Sequence, residues 1–269
     1  MGRELKNREL LDFTLIIPTL GKREQELNES LYKLSQSDSR CHLIFIAPEG
    51  VIDAVKEIAS AYCKNFEVCY IVEEKNSTLP KAINQGLSAI QTEFWNWVGD
   101  DDCIILDEIA RIVSVLSSDT RLVLGVGSCK YFSSYSKREY LNKATRLSTS
   151  MIFWGPNLVP QPSVVFRTMI ARQMGGVDPN FQFAFDQDFV SKCLRIGKAY
   201  IHDSVTSEYR WSDQTLTSKF RKQSLHESYK IRSLHAKSVY QKIFVHFTFP
   251  IVITIIRISD LVFKTRFRK

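Results

Sequence analysis

Three consecutive carboxylates, Asp100-Asp101-Asp102, follow the apolar run Phe94–Val98. Adjacent carboxylates repel one another, so a cation is their natural partner. All-oxygen donors suit Mg²⁺ or Mn²⁺, which share their shell with substrate phosphates. Taken alone the triplet reads equally as a solvated acidic turn capping the next helix. The six cysteines form no CxxC pair and have no His at metal-ligand spacing, which argues against structural zinc.

The elements that must position these groups are legible from periodicity. Phe13–Pro18, Leu43–Ala47, Phe66–Val72, Phe94–Val98 and Leu122–Val126 are short apolar runs and read as buried strands. Between them, Glu24–Ser35, Ile52–Tyr62, Lys81–Ile90 and Asp107–Leu116 have helical spacing, with Asp107 as a candidate cap. Strand alternating with helix predicts an α/β fold with a mostly parallel, Rossmann-like sheet. Continuous apolar strands fit a sheet covered on both faces. Ligands bind such sheets beyond the carboxyl ends of the strands, and the triplet sits at one of those ends. Residues 128–160 read as loop and strand pieces. Trp95 and Trp97 read as core, and Trp154 and Phe183 as packing or sugar-stacking residues.

The stretch from Thr78, TLPKAINQGLSAIQTEFWNWVGDDD, resembles family 2 glycosyltransferases of the GT-A fold. One branch of that family has a G-I-Y-D-A-M-N-K-G-I block and then a strand ending F-L-N-S-D-D. Ala82, Asn84 and Gly86 match the A-x-N-x-G core. Trp97-Val98-Gly99-Asp100-Asp101-Asp102 matches the strand and its acidic end. Leu15-Ile16-Ile17-Pro18-Thr19 resembles the family's first strand. A third block spans residues 160–198, where Gln161, Phe166-Arg167, Gly175-Gly176, Asp178, Phe181, Asp186-Gln187-Asp188, Leu194-Arg195 and Gly197 match. The blocks occur in the family's order across residues 20–215.

The resemblance implies an inverting transfer of a sugar from a nucleotide-sugar donor, a UDP-sugar first of all. On it Asp101 and Asp102 bind the divalent metal, and Pro18, Thr19, Glu49, Lys81 and Asp100 are candidates for the donor nucleotide. Asp186 takes the place of the catalytic base, and Gln161, Asp188 and Trp211 are candidates for the acceptor. The branch includes enzymes of O-antigen, capsule and colanic-acid synthesis, which implies a glycan or lipid-linked oligosaccharide acceptor. Two departures stand out. The second strand ends Ala47-Pro48-Glu49-Gly50 where relatives have D-G-G-S, so either Glu49 substitutes for the base-reading Asp or the base is held otherwise. Lys81 replaces the Asp or Arg ahead of the A-x-N block. The Tyr209–Ser218 stretch falls where relatives have a loop that closes on the donor.

Charge divides the chain. Through Asp213 there are 24 Lys and Arg against 27 Asp and Glu; after it there are 12 against 2. An acidic body with a basic end does not fit a uniformly basic nucleic-acid binder. We therefore expect two parts, a GT-A domain over 1–215 and a helical segment over 216–269. Ile243–Ile256 has no Asp, Glu, Lys or Arg in 14 residues. That is short of the ~20 residues of a span, and Pro250 interrupts it. It reads as an interfacial amphipathic anchor for anionic lipid, with packing on the domain or in a dimer, and a true membrane span, as the alternatives. No signal-peptide pattern opens the chain, so the expected location is cytoplasmic, peripheral to the inner face of the membrane. Two rival readings are a nucleotidyltransferase and a degenerate, membrane-bound scaffold. Leu20-Gly21-Lys22-Arg23 is a thin phosphate loop for the first, and the altered Glu49 turn favours the second.

Overall fold

The computed structural model describes residues 10–133, 136–211 and 219–267. Its first half is the alternation expected. β1 (Leu10–Pro18), α1 (Glu24–Ser35), β2 (Arg40–Ala47), α2 (Ile52–Tyr62), β3 (Glu67–Val72), α3 (Leu79–Ala89) and β4 (Phe94–Trp97) follow in order. Pro80 sits in the first turn of α3, where its missing N–H costs nothing, so the helix starts two residues before Lys81. After the triplet come β5 (Cys103–Ile104) and α4 (Leu106–Ser118).

Asp107 does not cap α4, whose N-cap position is Ile105. Its carboxylate instead accepts from Ser37 Oγ at 2.6 Å and the Ser39 N–H at 2.9 Å, tying the α1–β2 connection to α4. β6 (Leu122–Ser133) runs well past Val126. The segment expected to be irregular contains β7 (Ser136–Asn142) and α5 (Arg146–Met151), with a 3₁₀ turn at Gln161–Ser163. Then come β8 (Val164–Arg167), α6 (Thr168–Gln173), α7 (Phe185–Ile196), β9 (Lys198–Trp211), α8 (Arg221–His235) and α9 (Val239–Phe267).

The strands form one sheet in the order β3-β2-β1-β4-β8-β6-β9-β5, with β7 on β6. β3, β2, β1 and β4 are parallel neighbours. β8 is antiparallel to both β4 and β6, whereas β9 is parallel to β6. The parallel half carries helices on both faces, and β1 shows why its sequence is continuously apolar. Ile16 faces one core with Trp95, Trp97, Phe166 and Phe189. Phe13, Leu15 and Ile17 face the other, with Leu27, Leu31, Val55 and Ile109. Each large apolar side chain so buried contributes about 1.5–3 kcal/mol. The Trp97 and Phe166 rings stack 5.5 Å apart, which fixes β4 against β8.

Two family-like blocks meet physically. A Cβ on Gly86 would lie 2.8 Å from Ile46 Cδ1, so the absence of one lets α3 lie flush on β1 and β2. Asn84 Nδ2 donates to the Val177 carbonyl at 2.7 Å and its Oδ1 accepts from the Val177 N–H at 2.8 Å. Gly176, at φ +79°, leaves the room that this clasp needs.

All six cysteines are free, and five are buried. Pro250 does not end the last helix. α9 continues through it for 29 residues, so Val239–Ser259 gives 21 residues long and apolar enough to cross a membrane. The length argument drawn from 14 residues is thereby corrected.

Candidate active site

The carboxyl ends of the parallel strands are brought into line by backbone hydrogen bonds just beyond them. The Thr19 N–H donates to Ile46 O, Glu73 N–H to Ala47 O and Val98 N–H to Ile16 O. Thr19 therefore stands beside the acidic turn. Its Oγ1 donates to Asp100 Oδ2 at 2.6 Å. Arg23, just before α1, places Nη1 2.5 Å from Asp101 Oδ2 and 3.4 Å from Asp100 Oδ1. Asp102 accepts from the Arg210 N–H at 3.2 Å, and its carbonyl accepts from Ser30 Oγ at 2.5 Å.

Asp100 and Asp102 are buried. Burial raises all three carboxyls above the ordinary range. Asp100 adds to the rise at Asp101, and Asp101 adds to the rise at Asp102, while Arg23 opposes it at each. Arg23, with a smaller contribution from Arg210 at Asp101, does not offset the burial of three carboxylates in this turn. Among the described residues no three His, Cys, Asp or Glu side chains form a ready-made metal cage. A hard divalent ion sharing its shell with diphosphate oxygens needs only one or two carboxylates. The donor set fits such an ion, with Arg23 occupying part of its place. Sequence reasoning met Arg23 only in the thin Leu20–Arg23 phosphate loop and missed its pairing with the triplet, because Asp101 lies 78 positions away.

Beyond β2 and β3 lies an open cleft of about 320 Å³, lined by Pro48, Glu49 and Val72 to Ser77. Glu49 is exposed on its wall. Lys75 lines the same cleft, whereas Lys81 stands exposed on the first turn of α3. Pro18 ends β1 next to the cleft's inner side, paired with Ile46 of β2.

Asp186 is the second residue of α7. The Phe185 ring lies 6.1 Å from Trp97, which brings the start of α7 to the carboxyl end of β4. Asn157 Nδ2 donates to Asp186 Oδ2 at 3.4 Å. Burial pushes the Asp186 carboxyl up to about 6; the N–H groups of Gln187 and Asp186 restrain the rise, and the nearby Glu227 adds to it. A carboxylate of raised pKa that is still ionised at neutral pH is a competent general base.

The other acceptor candidates are differently placed. Asp188 is 2% exposed and bound on both oxygens, by His235 Nε2 at 3.0 Å and by Lys192 Nζ at 2.7 Å. These partners hold it below the ordinary carboxylate range despite its burial. In this structure it joins α7 to α8. Gln161 spends its amide nitrogen on the end of β4, donating to Trp97 O at 2.8 Å and to Asn96 Oδ1 at 3.0 Å. Trp211 is the last residue of β9, half-buried and in register with Ser133. Trp154 packs edge-on against Phe244, and Phe183 stacks on Phe220, so both serve the C-terminal helices. Of the loop expected to close on the donor, residues 212–218 lie outside the described residues.

Residues 14–173 match the profile of Glycosyl transferase family 2. The chain belongs to this family. The family 2 match takes in the acidic triplet and ends before Asp186. An uncharacterized glycosyltransferase of Rickettsia typhi is 22% identical over 181 residues, 65% of this chain; the chain spans 56% of that protein's length. Two solved structures share the architecture at 16% identity and a TM-score of 0.65. One is TarS 1–349 of S. aureus in complex with UDP-GlcNAc, with 87% of this chain and 69% of that one aligned. The other is the mannosyltransferase PcManGT of Pyrobaculum calidifontis with GDP-Man and Mn²⁺, at 87% and 68%. The expected GT-A fold is thus the fold of this family 2 chain.

Proposed function

We propose that this chain is a glycosyltransferase that moves a sugar from a nucleotide-sugar donor, a UDP-sugar first of all, to a hydroxyl of a growing, lipid-linked bacterial surface glycan. The observation that carries the reading is the triplet Asp100–Asp102 at the end of β4, its outer two members buried and Asp101 half-buried, with the start of α7 and its Asp186 at that same strand end. Two structural neighbours at low identity are recorded with nucleotide sugars, UDP-GlcNAc and GDP-Man, and this supports the donor class.

In this reading the nucleotide base lies in the cleft lined by Glu49 and Lys75, and Pro18 and Thr19 at the end of β1 stand between it and the triplet. The diphosphate runs from there to the triplet, where Asp101 and Asp102 would hold Mn²⁺ or Mg²⁺. When bound, that ion supplies neutralisation of the charge that develops on the departing nucleoside diphosphate. Arg23 gives up Asp101 as the site fills and turns its guanidinium to a phosphate oxygen. Asp186 accepts the proton of the acceptor hydroxyl as that oxygen attacks the anomeric carbon. Asn157 and the N–H groups of Gln187 and Asp186 orient the carboxylate that takes the proton. Attack opposite the leaving group inverts the anomeric centre.

The same proposal seats the protein on the inner face of a membrane. α9 packs on the body through Val245, which is fully buried, and Val252, with Thr248 and Phe249 beside them. Phe247, Ile251, Ile255 and Ile258 lie 48–70% exposed on the opposite side. A helix packed along one side on a folded body and apolar on the other suits an in-plane position, flanked here by Lys242 and Arg257 for anionic head groups.

The test is hydrolysis of UDP-, GDP- and dTDP-sugars with and without Mn²⁺, for the native chain, Asp101→Ala and Asp186→Asn. One donor turned over only with metal, and by neither variant, supports the reading. No donor bound under any condition sinks it and leaves the scaffold.

A further inference from the structure

α7 begins without a cap of its own. Its N-cap residue is Ala184, whose methyl group can accept nothing. The N–H groups ahead of Asp186 are satisfied from a distant helix instead. Glu227 of α8 accepts from the Gln182 N–H at 2.9 Å through Oε1, and from the Phe183 and Ala184 N–H groups at 2.7 and 2.9 Å through Oε2. One carboxylate thus holds three consecutive amides and places a negative charge at the positive end of α7.

We propose that Glu227 is the positioning residue of the reaction: it fixes the Gln182–Ala184 turn and so sets where the Asp186 carboxylate is presented. This makes α8 part of the catalytic unit, not an appendage after residue 215. It rests on the reading of Asp186 as base.

Other contacts bind the same two helices. His235 of α8 holds Asp188, and Arg195 of α7 donates to the His235 carbonyl. Arg232 of α8, 1% exposed, donates to the Trp154 carbonyl at 3.4 Å. The Asp188 and Arg195 contacts tie α7 to α8 and the Arg232 contact ties α8 to the body, whereas Glu227 holds the backbone of the turn immediately before the base, where Phe183 also stacks on Phe220. Its charge also reaches that base. Asp186 is faced by Asn157, by its own N–H and that of Gln187, and by Glu227. The next carboxylate on the helix, Asp188, is already neutralised by Lys192 and His235.

A role in packing alone and a role in presenting the base differ in what they move. Glu227→Gln keeps the shape and one accepting oxygen but removes the charge. If Glu227 presents the base, kcat for hydrolysis of the donor found in the UDP-, GDP- and dTDP-sugar screen falls roughly 10- to 100-fold at unchanged KM. The titration midpoint of Asp186, read by ¹³C-carboxyl NMR and assigned with Asp186→Asn, falls below about 6. Glu227→Asp, which keeps the charge, restores the midpoint better than the rate.

If Asp186→Asn abolishes hydrolysis while Glu227→Gln leaves both midpoint and kcat unchanged, the proposal is overturned and the base stands. If Asp186→Asn hydrolyses donor normally, the base falls and the proposal falls with it. Far-UV circular dichroism of Glu227→Gln confirms that a folded chain is being compared.

Discussion

The carboxyl end of the parallel sheet and the C-terminal helix pair solve opposite problems of charge. At the sheet end, three carboxylates are drawn out of water with one guanidinium among them, and burial raises all three. In α8 and α9 most Lys and Arg stay in water, Arg232 excepted, and apolar side chains face outward as well. The first region concentrates unsatisfied charge where a small, hard ligand can complete it. The second spreads apolar area and cations as a broad surface would require. Electrostatic strain marks a site for something small, and exposed apolar area marks a contact with something large.

The comparison breaks most sharply at Asp186. Asp186→Asn should lower donor turnover by about 10²–10⁴-fold, the usual worth of general base catalysis, with little change in Tm. In the native chain the rate should fall as pH drops through about 6, because the carboxyl must be ionised to accept a proton and protonation removes the base. A pH–rate profile for kcat checks the sign; activity that rises below pH 6 would exclude this role.

At the triplet, Asp101→Ala should weaken Mn²⁺ binding, read by electron paramagnetic resonance, by at least roughly tenfold, since it removes one of the charged donors. Removing metal with EDTA should abolish turnover of the native chain and restore it on adding Mn²⁺ back.

On the other region, Phe247→Glu with Ile251→Glu should cut binding to anionic liposomes about tenfold or more, given ~1.5–3 kcal/mol for each large apolar side chain buried. Donor hydrolysis in solution should be unchanged. Retention of the double variant on liposomes would remove α9 from the membrane.

The smallest effect belongs to Arg23. Arg23→Gln removes a cation that competes for Asp101, so Mn²⁺ affinity measured without donor should rise severalfold, in keeping with about 1 kcal/mol for a partly exposed pair. Nucleotide affinity in the presence of Mn²⁺ should fall by a similar factor.

The parallel half was legible because each element there answers to a local rule. Apolar runs gave β1 to β4, and 3.6-residue spacing gave α1 and α2 to the residue. The acidic triplet was legible as a feature because it is contiguous. What escaped is contact between distant segments. Arg23 reaches Asp101, Asn84 reaches Val177, and Glu227 reaches Ala184 across 78, 93 and 43 positions, and periodicity carries no information about such pairs. Asp188 shows the same limit from the other side. Its place in a motif suggested chemistry, yet His235, 47 residues later, takes it up as a structural ion pair. The continuous α9 escaped for a different reason. A proline costs one hydrogen bond and some bending, which a long apolar helix packed on its neighbour absorbs.

The Asn84 clasp bears on how such proteins can be recombined. The Glu49 cleft and the acidic turn are contributed entirely by residues before Leu106, whereas Asp186 and the helices behind it come from after it. On the proposed function, donor and acceptor binding draw on different lengths of chain, and a chimera joined near Leu106 would test that separation, although the cut also parts β4 from β8 and Asp102 from Arg210. The graft takes only if Asn84 meets a glycine turn that can receive it. In any splicing of two relatives, that pair is the fitting to match before any residue of either pocket.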